Sequence, residues 1–528
     1  MAPKYSKDHH DDCKVCEDIH ASGTLRKRLI VCCDGTGNSS NQGTETNPTN
    51  VARLSRAIAN VGFTHHGKPI PQIVYYQAGV GTGSLTKFNA AQQAGFGVGL
   101  NEKVCEAYNF LVNNYGPEDE ISLFGFSRGA YTARTLGSFI CDFGLMTPGM
   151  MDYFDEIFEE YKKRKTRDFE KEGWFKNRVR KGELGLNWND YHDKDGNNIK
   201  KLPTRMQWIR TWTHQHITLK IVGVFDTVGS VGMSGRVDQP GKDTDWHSTT
   251  LHPKIEHAFH AMALDETRGN FPLTKWHITP ECSKVDLRQC WFPGYHSDIG
   301  GHADAKSDTN SVDEITFAWM VDQISSESLL QFTPATLRYP ILNRINNTSM
   351  IENGPNCTIP TSPEDANQRL IRWSDGIMGE TNTPMYYVSS FIATFRFWYT
   401  REPGVWKDAN SQLINPEHLR ETIHPTVWHR MSTTECKYRP AALPAKEWSR
   451  EEASPEEKAD DYLYVWVKKD PATGEEVLRL PEYRMKNIKK RDFCHHDEHG
   501  EEKHYTLWNE SLELKLAPTE VAREHAKL

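Results

Sequence analysis

Ile121-Ser122-Leu123-Phe124-Gly125-Phe126-Ser127-Arg128-Gly129-Ala130 joins a short apolar run to a Gly-x-Ser-x-Gly turn, and Ala133, Leu136 and Ile140 then fall on one side of a helix. A serine hydroxyl is a weak nucleophile until a base takes its proton, so it must stand clear of the sheet where a histidine reaches it. A sharp strand-to-helix turn lifts it there. Gly125 and Gly129, two before and two after Ser127, remove the side chains that such a turn would drive together. The stretch predicts a strand, an elbow that carries Ser127 as nucleophile, and a helix.

Upstream, Arg28-Leu29-Ile30-Val31-Cys32-Cys33 reads as a buried strand ended by the Gly-rich loop Asp34-Gly35-Thr36-Gly37-Asn38. Thr49 suits the N-cap of a helix presenting Val51, Leu54 and Ile58, and Gln72-Ile73-Val74-Tyr75-Tyr76 reads as a second strand. Val104, Tyr108, Leu111 and Tyr115 recur at helical spacing before the elbow strand. Leu219-Lys220-Ile221-Val222-Gly223-Val224-Phe225 and Gln289-Cys290-Trp291-Phe292 resume the strands after it. Near-continuous apolar strands alternating with helices predict an α/β fold, α/β-hydrolase-like, with a mostly parallel sheet covered by helices on both faces.

Between residues 152 and 210 the composition turns to dense charge and aromatics, with Lys162-Lys163-Arg164-Lys165 and Trp174, Trp188 and Trp208. This stretch is expected to be a cap or lid inserted over the carboxyl ends of the strands, where ligands bind in such folds. The expected organisation is a disordered polar arm over 1–24, a catalytic domain over 25–325, an accessory region packed on it over 326–440, and a charged, mixed C-terminal region over 441–528.

An elbow serine implies an acid and then a histidine, each leaving a later strand, in that chain order. Asp226 ends the strand at Phe225 and precedes Thr227-Val228-Gly229-Ser230; His296 follows the next apolar strand in Tyr295-His296-Ser297-Asp298-Ile299-Gly300-Gly301. Such an acid orients the imidazole and stabilises the imidazolium formed during attack. The chain holds 23 histidines, and His257, His260 and His424 are alternatives for the base, His424 the strongest of them. Two N–H donors are needed for the developing oxyanion: Arg128 after the nucleophile, and Gly35 or Thr36 in the first Gly-rich loop, which reads equally as a phosphate-gripping nest. Asp34, Gly125, Gly129 and Asp298 are expected to support these loops.

The formal net charge of −8 and the absence of a clustered basic stretch argue against a nucleic-acid partner. The first thirty residues lack the apolar core of a signal peptide, and no run reaches the roughly 18 apolar residues of a membrane span. Met385–Thr400, with Arg396 inside it, reads as a buried helix, with peripheral membrane contact as its other reading. Eleven cysteines without framework spacing suit reduced thiols. Cys13 and Cys16 with His9, His10 and His20 have zinc-like spacing but lie in the polar arm with no matching second pair, His302 and Asp304 beside His296 and Asp298 are explained as well by their place in a loop near the base, and Cys494-His495-His496 sits in a charged tail, so neither a metal nor a cofactor is expected. Ala526-Lys527-Leu528 is a variant of the tripeptide read by the peroxisomal import receptor, which makes the peroxisomal matrix, or otherwise the cytoplasm, the expected location.

Four runs together, Cys33-Asp34-Gly35-Thr36-Gly37-Asn38, Gly125-Phe126-Ser127-Arg128-Gly129-Ala130, Phe225-Asp226-Thr227-Val228-Gly229-Ser230 and His296-Ser297-Asp298-Ile299-Gly300-Gly301, resemble the α/β-hydrolase catalytic domain shared by bacterial type VI secretion phospholipase effectors and many intracellular fungal proteins. The resemblance covers about residues 26–325, more loosely to about 430. It implies a triad of Ser127, Asp226 and His296 and hydrolysis of a phospholipid or other acyl-ester substrate. An acyl thioesterase, and a catalytically silent scaffold that binds a lipid or protein partner, are the competing expectations.

Overall fold

The computed structural model of the chain describes residues 26–35, 48–64, 69–79, 100–162, 174–194, 198–228, 251–269, 271–301, 312–333, 378, 399–408, 411–432, 437–486, 491–496, 502–507, 511–517 and 519–526. Arg28–Cys33 (β1) sends Leu29, Val31 and Cys33 into one apolar cluster and Ile30 and Cys32 into another, so this strand is buried on both faces. Val61–Phe63 (β2), Pro69–Gln77 (β3), Glu120–Phe126 (β4), Leu219–Phe225 (β5), Ile255–Ala263 (β6), Asp286–Phe292 (β7) and Glu421–Ile423 (β8) complete its sheet. The spatial order is β8-β7-β6-β5-β4-β1-β3-β2, and every neighbouring pair is parallel except β2 with β3. The chain runs from β1 outward to β3 on one side and to β4 on the other, which opens a crevice at the carboxyl ends of β1 and β4. Register brings those ends level: Cys33 lies opposite Gly125, and Phe126 opposite Phe225.

Asn50–Ala57 (α1), capped by Thr49, covers one face of the sheet, while Leu100–Asn114 (α2) and Arg128–Phe143 (α3) cover the other. Phe154–Lys162 (α4), Trp174–Arg180 (α5) and Arg205–Arg210 (α6) belong to the stretch expected to cap the site. Phe154, Phe158 and Tyr161 instead pack their rings 5.0–5.8 Å from that of Phe139, in the second half of α3 and about 18 Å along the helix from Ser127. Residues 163–173 and 195–197 lie outside the described residues.

The boundary expected at residue 325 cuts a continuous core. Asp313–Ser326 (α8) follows the short helix His296–Gly300 (α7) and is buried along nearly its whole length, and β8 adds an edge strand from nearly a hundred residues later. Leu512–Leu516 (α9) docks on α8, where Asp322 accepts from Ser511 Oγ (2.6 Å), Leu512 N (2.8 Å) and Glu513 N (3.0 Å) and so caps another segment's helix. A three-stranded antiparallel sheet, Trp448–Glu452 (β9), Tyr464–Lys469 (β10) and Glu476–Pro481 (β11), packs Trp448, Trp466 and Leu480 against Trp291 and Ile423. Within the charged C-terminal region, Thr519–Ala526 forms a helix (α10); His525 is buried and its carbonyl accepts from Arg484 Nη2 at 3.0 Å. Lys527 and Leu528 lie outside the described residues.

β6 was not legible as a strand because Glu256, His257 and His260 interrupt its apolar pattern. Its polar groups are satisfied: His257 Nδ1 lies 3.0 Å from Asp286, and Thr227 N donates to His260 Nε2 at 3.1 Å. Among the described residues no helix is long and apolar enough to cross a membrane. Residues 385–398 lie outside them.

Candidate active site

Ser127 stands between β4 and α3 with φ 57° and ψ −122°, a backbone conformation that costs a non-glycine residue of order 1–3 kcal/mol. The surrounding chain enforces it. Ser127 N–H donates to the Phe225 carbonyl at 3.1 Å, tying the turn to β5. A Cβ on Gly125 would overlap Gly129 O and Ala130, and one on Gly129 would overlap the carbonyl oxygens of Cys33 and Asp34. The two glycines therefore allow the elbow to close against the end of β1. Ser127 keeps 8% of its surface exposed.

His296 opens α7, and its Nε2 lies 2.8 Å from Ser127 Oγ. Its Nδ1 lies 2.6 Å from Oδ2 of Asp226, which leaves β5 with φ 41° and is fully buried. Burial alone would push the Asp226 carboxyl up, but the Arg401 charge and the hydrogen bonds from His296 and Arg401 outweigh it and hold the carboxyl well below its usual range. The Phe126 and Phe271 rings flank the imidazole, each with its centroid 4.9 Å away. Gly300 makes room for this packing, since a Cβ there would overlap the Phe126 ring. An ionised acid, an oriented imidazole and a partly accessible hydroxyl in one chain of contacts can transfer the serine proton to His296.

The alternative bases lie elsewhere. His257 pairs with Asp286, His260 accepts from Thr227 N, and His424 is fully buried between Thr426 Oγ1 (2.7 Å) and Glu513 Oε1 (3.0 Å). Arg128 is the first residue of α3, so its N–H stands at the helix N-terminus directly after the nucleophile; burial pushes its guanidinium down to about 10. Asp34 organises the first loop by accepting from Thr49 Oγ1 (2.7 Å), Tyr76 Oη (2.5 Å) and Gly35 N (2.7 Å). The Gly35 N–H is thus engaged by its neighbour's carboxylate, and Thr36 lies outside the described residues. Asp298 Oδ2 accepts from Tyr295 N at 2.8 Å and fixes the start of α7, where His296 sits.

Residues 1–25, with the Cys13 and Cys16 set, and 302–311, with His302 and Asp304, lie outside the described residues, while Cys494, His495 and His496 fall in a two-stranded hairpin. Among the described residues no group of three or more His, Cys, Asp or Glu side chains is arranged to hold a metal ion.

Three contributions carried no sequence signal. Arg401 reaches Asp226 from a segment with no motif around it. Glu266 accepts from His296 N at 3.2 Å and pairs with Arg268. Phe271 comes from the loop after β6, a strand that was itself unread. Only Phe126 lay in a quoted motif, and nothing in the motif says that its ring packs on the imidazole.

Residues 27–323 match the family described as "T6SS, Phospholipase effector Tle1-like, catalytic domain". An uncharacterized protein of Saccharomyces cerevisiae, YEL023C, is 27% identical over 289 residues, covering 49% of this chain and 36% of that protein, so the match spans about a third of the relative's length. Among solved structures, the Tle1 effector bound to the VgrG spike from the type 6 secretion system aligns with 18% identity over 53% of this chain and 52% of that one, with a TM-score of 0.27. An uncharacterized protein from Pseudomonas aeruginosa aligns with 14% identity over 71% of this chain and 64% of that one, with a TM-score of 0.31.

Proposed function

The chain belongs to the family of Tle1-like phospholipase effector catalytic domains, and from that premise we propose that it is a serine carboxylester hydrolase acting on phospholipid or another fatty-acyl ester through an acyl-enzyme on Ser127. The observation that carries this reading is the run of contacts from Ser127 Oγ to His296 Nε2 at 2.8 Å and from His296 Nδ1 to Asp226 Oδ2 at 2.6 Å, on a strained elbow.

His296 Nε2 takes the hydroxyl proton as Ser127 Oγ bonds to the acyl carbon, and the carbonyl π pair moves to oxygen. The Arg128 N–H is one donor to that oxyanion. When the tetrahedral species collapses, the bond to the alcohol oxygen breaks and His296 returns the proton to it. Water then attacks the acyl-enzyme with His296 again as base, which releases the fatty acid and restores Ser127. Asp226 stays ionised throughout and stabilises the imidazolium.

The test is hydrolysis of phospholipid vesicles and a series of fatty-acyl esters and thioesters by the full chain and by Ser127→Ala. Fatty-acid release that depends on Ser127 supports the reading. Turnover confined to thioesters would replace the ester substrate, and no turnover of any acyl substrate would favour a silent scaffold.

A further inference from the structure

Arg401 lies 78 residues beyond the end of the family match, yet both ends of its guanidinium reach the Asp226 carboxylate. Resting on the function proposed above, we propose that Arg401 is a positioning residue of that site: its guanidinium fixes the Asp226 carboxylate in the one orientation that serves His296, so residues 27–323 do not contain the whole machinery.

Geometry carries the argument. Nη1 donates to Oδ1 at 2.5 Å and Nη2 to Oδ2 at 2.9 Å, a two-pronged grip that only a planar fork can make. Ala263 N also donates to Oδ1 (2.8 Å), and His296 Nδ1 lies on Oδ2 (2.6 Å), so turning the carboxylate would break bonds at both oxygens. The remaining guanidinium donors go to Ala263 O (2.7 Å), Phe271 O (3.3 Å) and Tyr399 Oη (3.3 Å). Arg401 and Asp226 are 2% and 0% exposed, which leaves water no route to replace either partner.

The segment that delivers Arg401 is itself fastened. Lys275 Nζ donates to the carbonyls of Glu402 (2.9 Å) and Val405 (3.1 Å) and pairs with Glu421 of β8 at 2.8 Å, while Gly404 N donates to Glu421 Oε2 at 2.7 Å. Tyr399 Oη donates to Phe271 O at 2.8 Å, holding the loop whose ring flanks His296. The strap therefore touches the settings of both the acid and the base. It also competes for the negative charge that would otherwise stabilise the imidazolium, so removing Arg401 has two separable effects. The carboxylate loses its orientation and the reaction slows. The carboxylate also loses a counter-charge and holds the imidazole proton more tightly, which moves the acid limb of the pH–rate profile upward.

The experiment is the second-order rate of fluorophosphonate labelling against pH for the full-length wild type, Ser127→Ala, Arg401→Lys, Arg401→Met, Asp226→Asn and Asp226→Asn/Arg401→Met, with folding checked by thermal melting. Arg401→Lys keeps the charge but not the fork, and is expected to label about 10- to 100-fold more slowly. Arg401→Met is expected to be slower still, with its acid limb raised by about one pH unit. In the Asp226→Asn background the second substitution should cost nothing further, because Arg401 acts through Asp226. If Arg401→Met does not fold, Arg401→Lys and the double variant, which leaves no unpaired buried charge, carry the test. Wild-type labelling and pH dependence in folded Arg401 variants, or an additive loss in the double variant, overturns the inference while leaving the function standing. Absence of Ser127-dependent labelling in the wild type overturns the function instead.

Discussion

The protein buries two carboxyl–imidazole pairs that look alike and behave as opposites. At the crevice, Asp226 meets His296, whose other nitrogen faces the Ser127 hydroxyl. At the junction of the core with the C-terminal helices, Glu513 meets His424, whose other nitrogen faces the Thr426 hydroxyl. Both hold a hydroxyl, an imidazole and an acid in line. Asp226 carries the Arg401 fork and stays ionised. Among the described residues no arginine or lysine pairs with Glu513; burial pushes its carboxyl up to about 8 and the His424 imidazole down to about 3, so burial favours the neutral form of both. Tyr483 donates to Glu513, and neighbouring Asp322 is likewise pushed up to about 8 by burial and by Glu513. Connectivity alone does not make a charge-transfer site. The two clusters differ in the cation on the acid and in access to the hydroxyl: Ser127 is 8% exposed and Thr426 0%.

The largest expected break comes at Asp226. Asp226→Asn removes the ionised acid and strands Arg401, so acyl-ester kcat/KM should fall roughly 10⁴-fold and the fold should lose about 3–5 kcal/mol, read by kinetics and thermal melting. Retention of a tenth of the wild-type rate would mean that the ionised acid is not what separates the two pairs. Gly300→Ala tests the packing of the first imidazole: a methyl group against Phe126 should displace His296, lowering kcat/KM about 10- to 100-fold at a cost of about 1–3 kcal/mol.

Glu513→Gln sharpens the contrast through pH. Because its folded pKa is raised, Glu513 contributes stability that is fully present below its unfolded pKa near 4.5 and is lost as pH rises through about 8. Asp226, with a lowered pKa, contributes stability that is present above its unfolded value and is lost in acid. Glutamine matches the neutral acid, so the variant should melt close to wild type at pH 5, exceed it at pH 9 by about 4 kcal/mol, and keep full esterase activity. A variant clearly less stable than wild type at pH 5 to 7 would mean that Glu513 is ionised in the fold there. The smallest change is expected from Thr426→Val: about 1 kcal/mol of stability from the lost hydroxyl bond and an unaltered rate in the same assays.

Much of the fold was legible because the elbow and the strands around it obey local rules. β1, β4 and β5 are apolar runs ended by turn residues, and Gly125 and Gly129 are required by the overlaps their side chains would make. The chain order of Ser127, Asp226 and His296 was enough to bring the three together on paper; the level ends of β4 and β5 set Ser127 beside Asp226, and the parallel strands β6 and β7 carry the chain on to His296. What escaped was nonlocal. β8 is three residues long and joins from nearly a hundred residues after α8, β6 hides its pattern under histidines, and Arg401 has no spacing relation to Asp226. The polar tail concealed α10 because two small apolar contacts, Val521 and Ala522, and the buried His525 are enough to dock it.

The central claim is that Ser127, and not the look-alike hydroxyl at Thr426, is the group activated for acyl transfer. Peptide mass mapping of the full-length protein after reaction with an alkyl fluorophosphonate tests it most directly. A single phosphonyl adduct on Ser127, lost when His296 is replaced by alanine, is the predicted result. Adduct formation on any other residue, or an unmodified Ser127 under conditions in which a control serine hydrolase reacts fully, would contradict it.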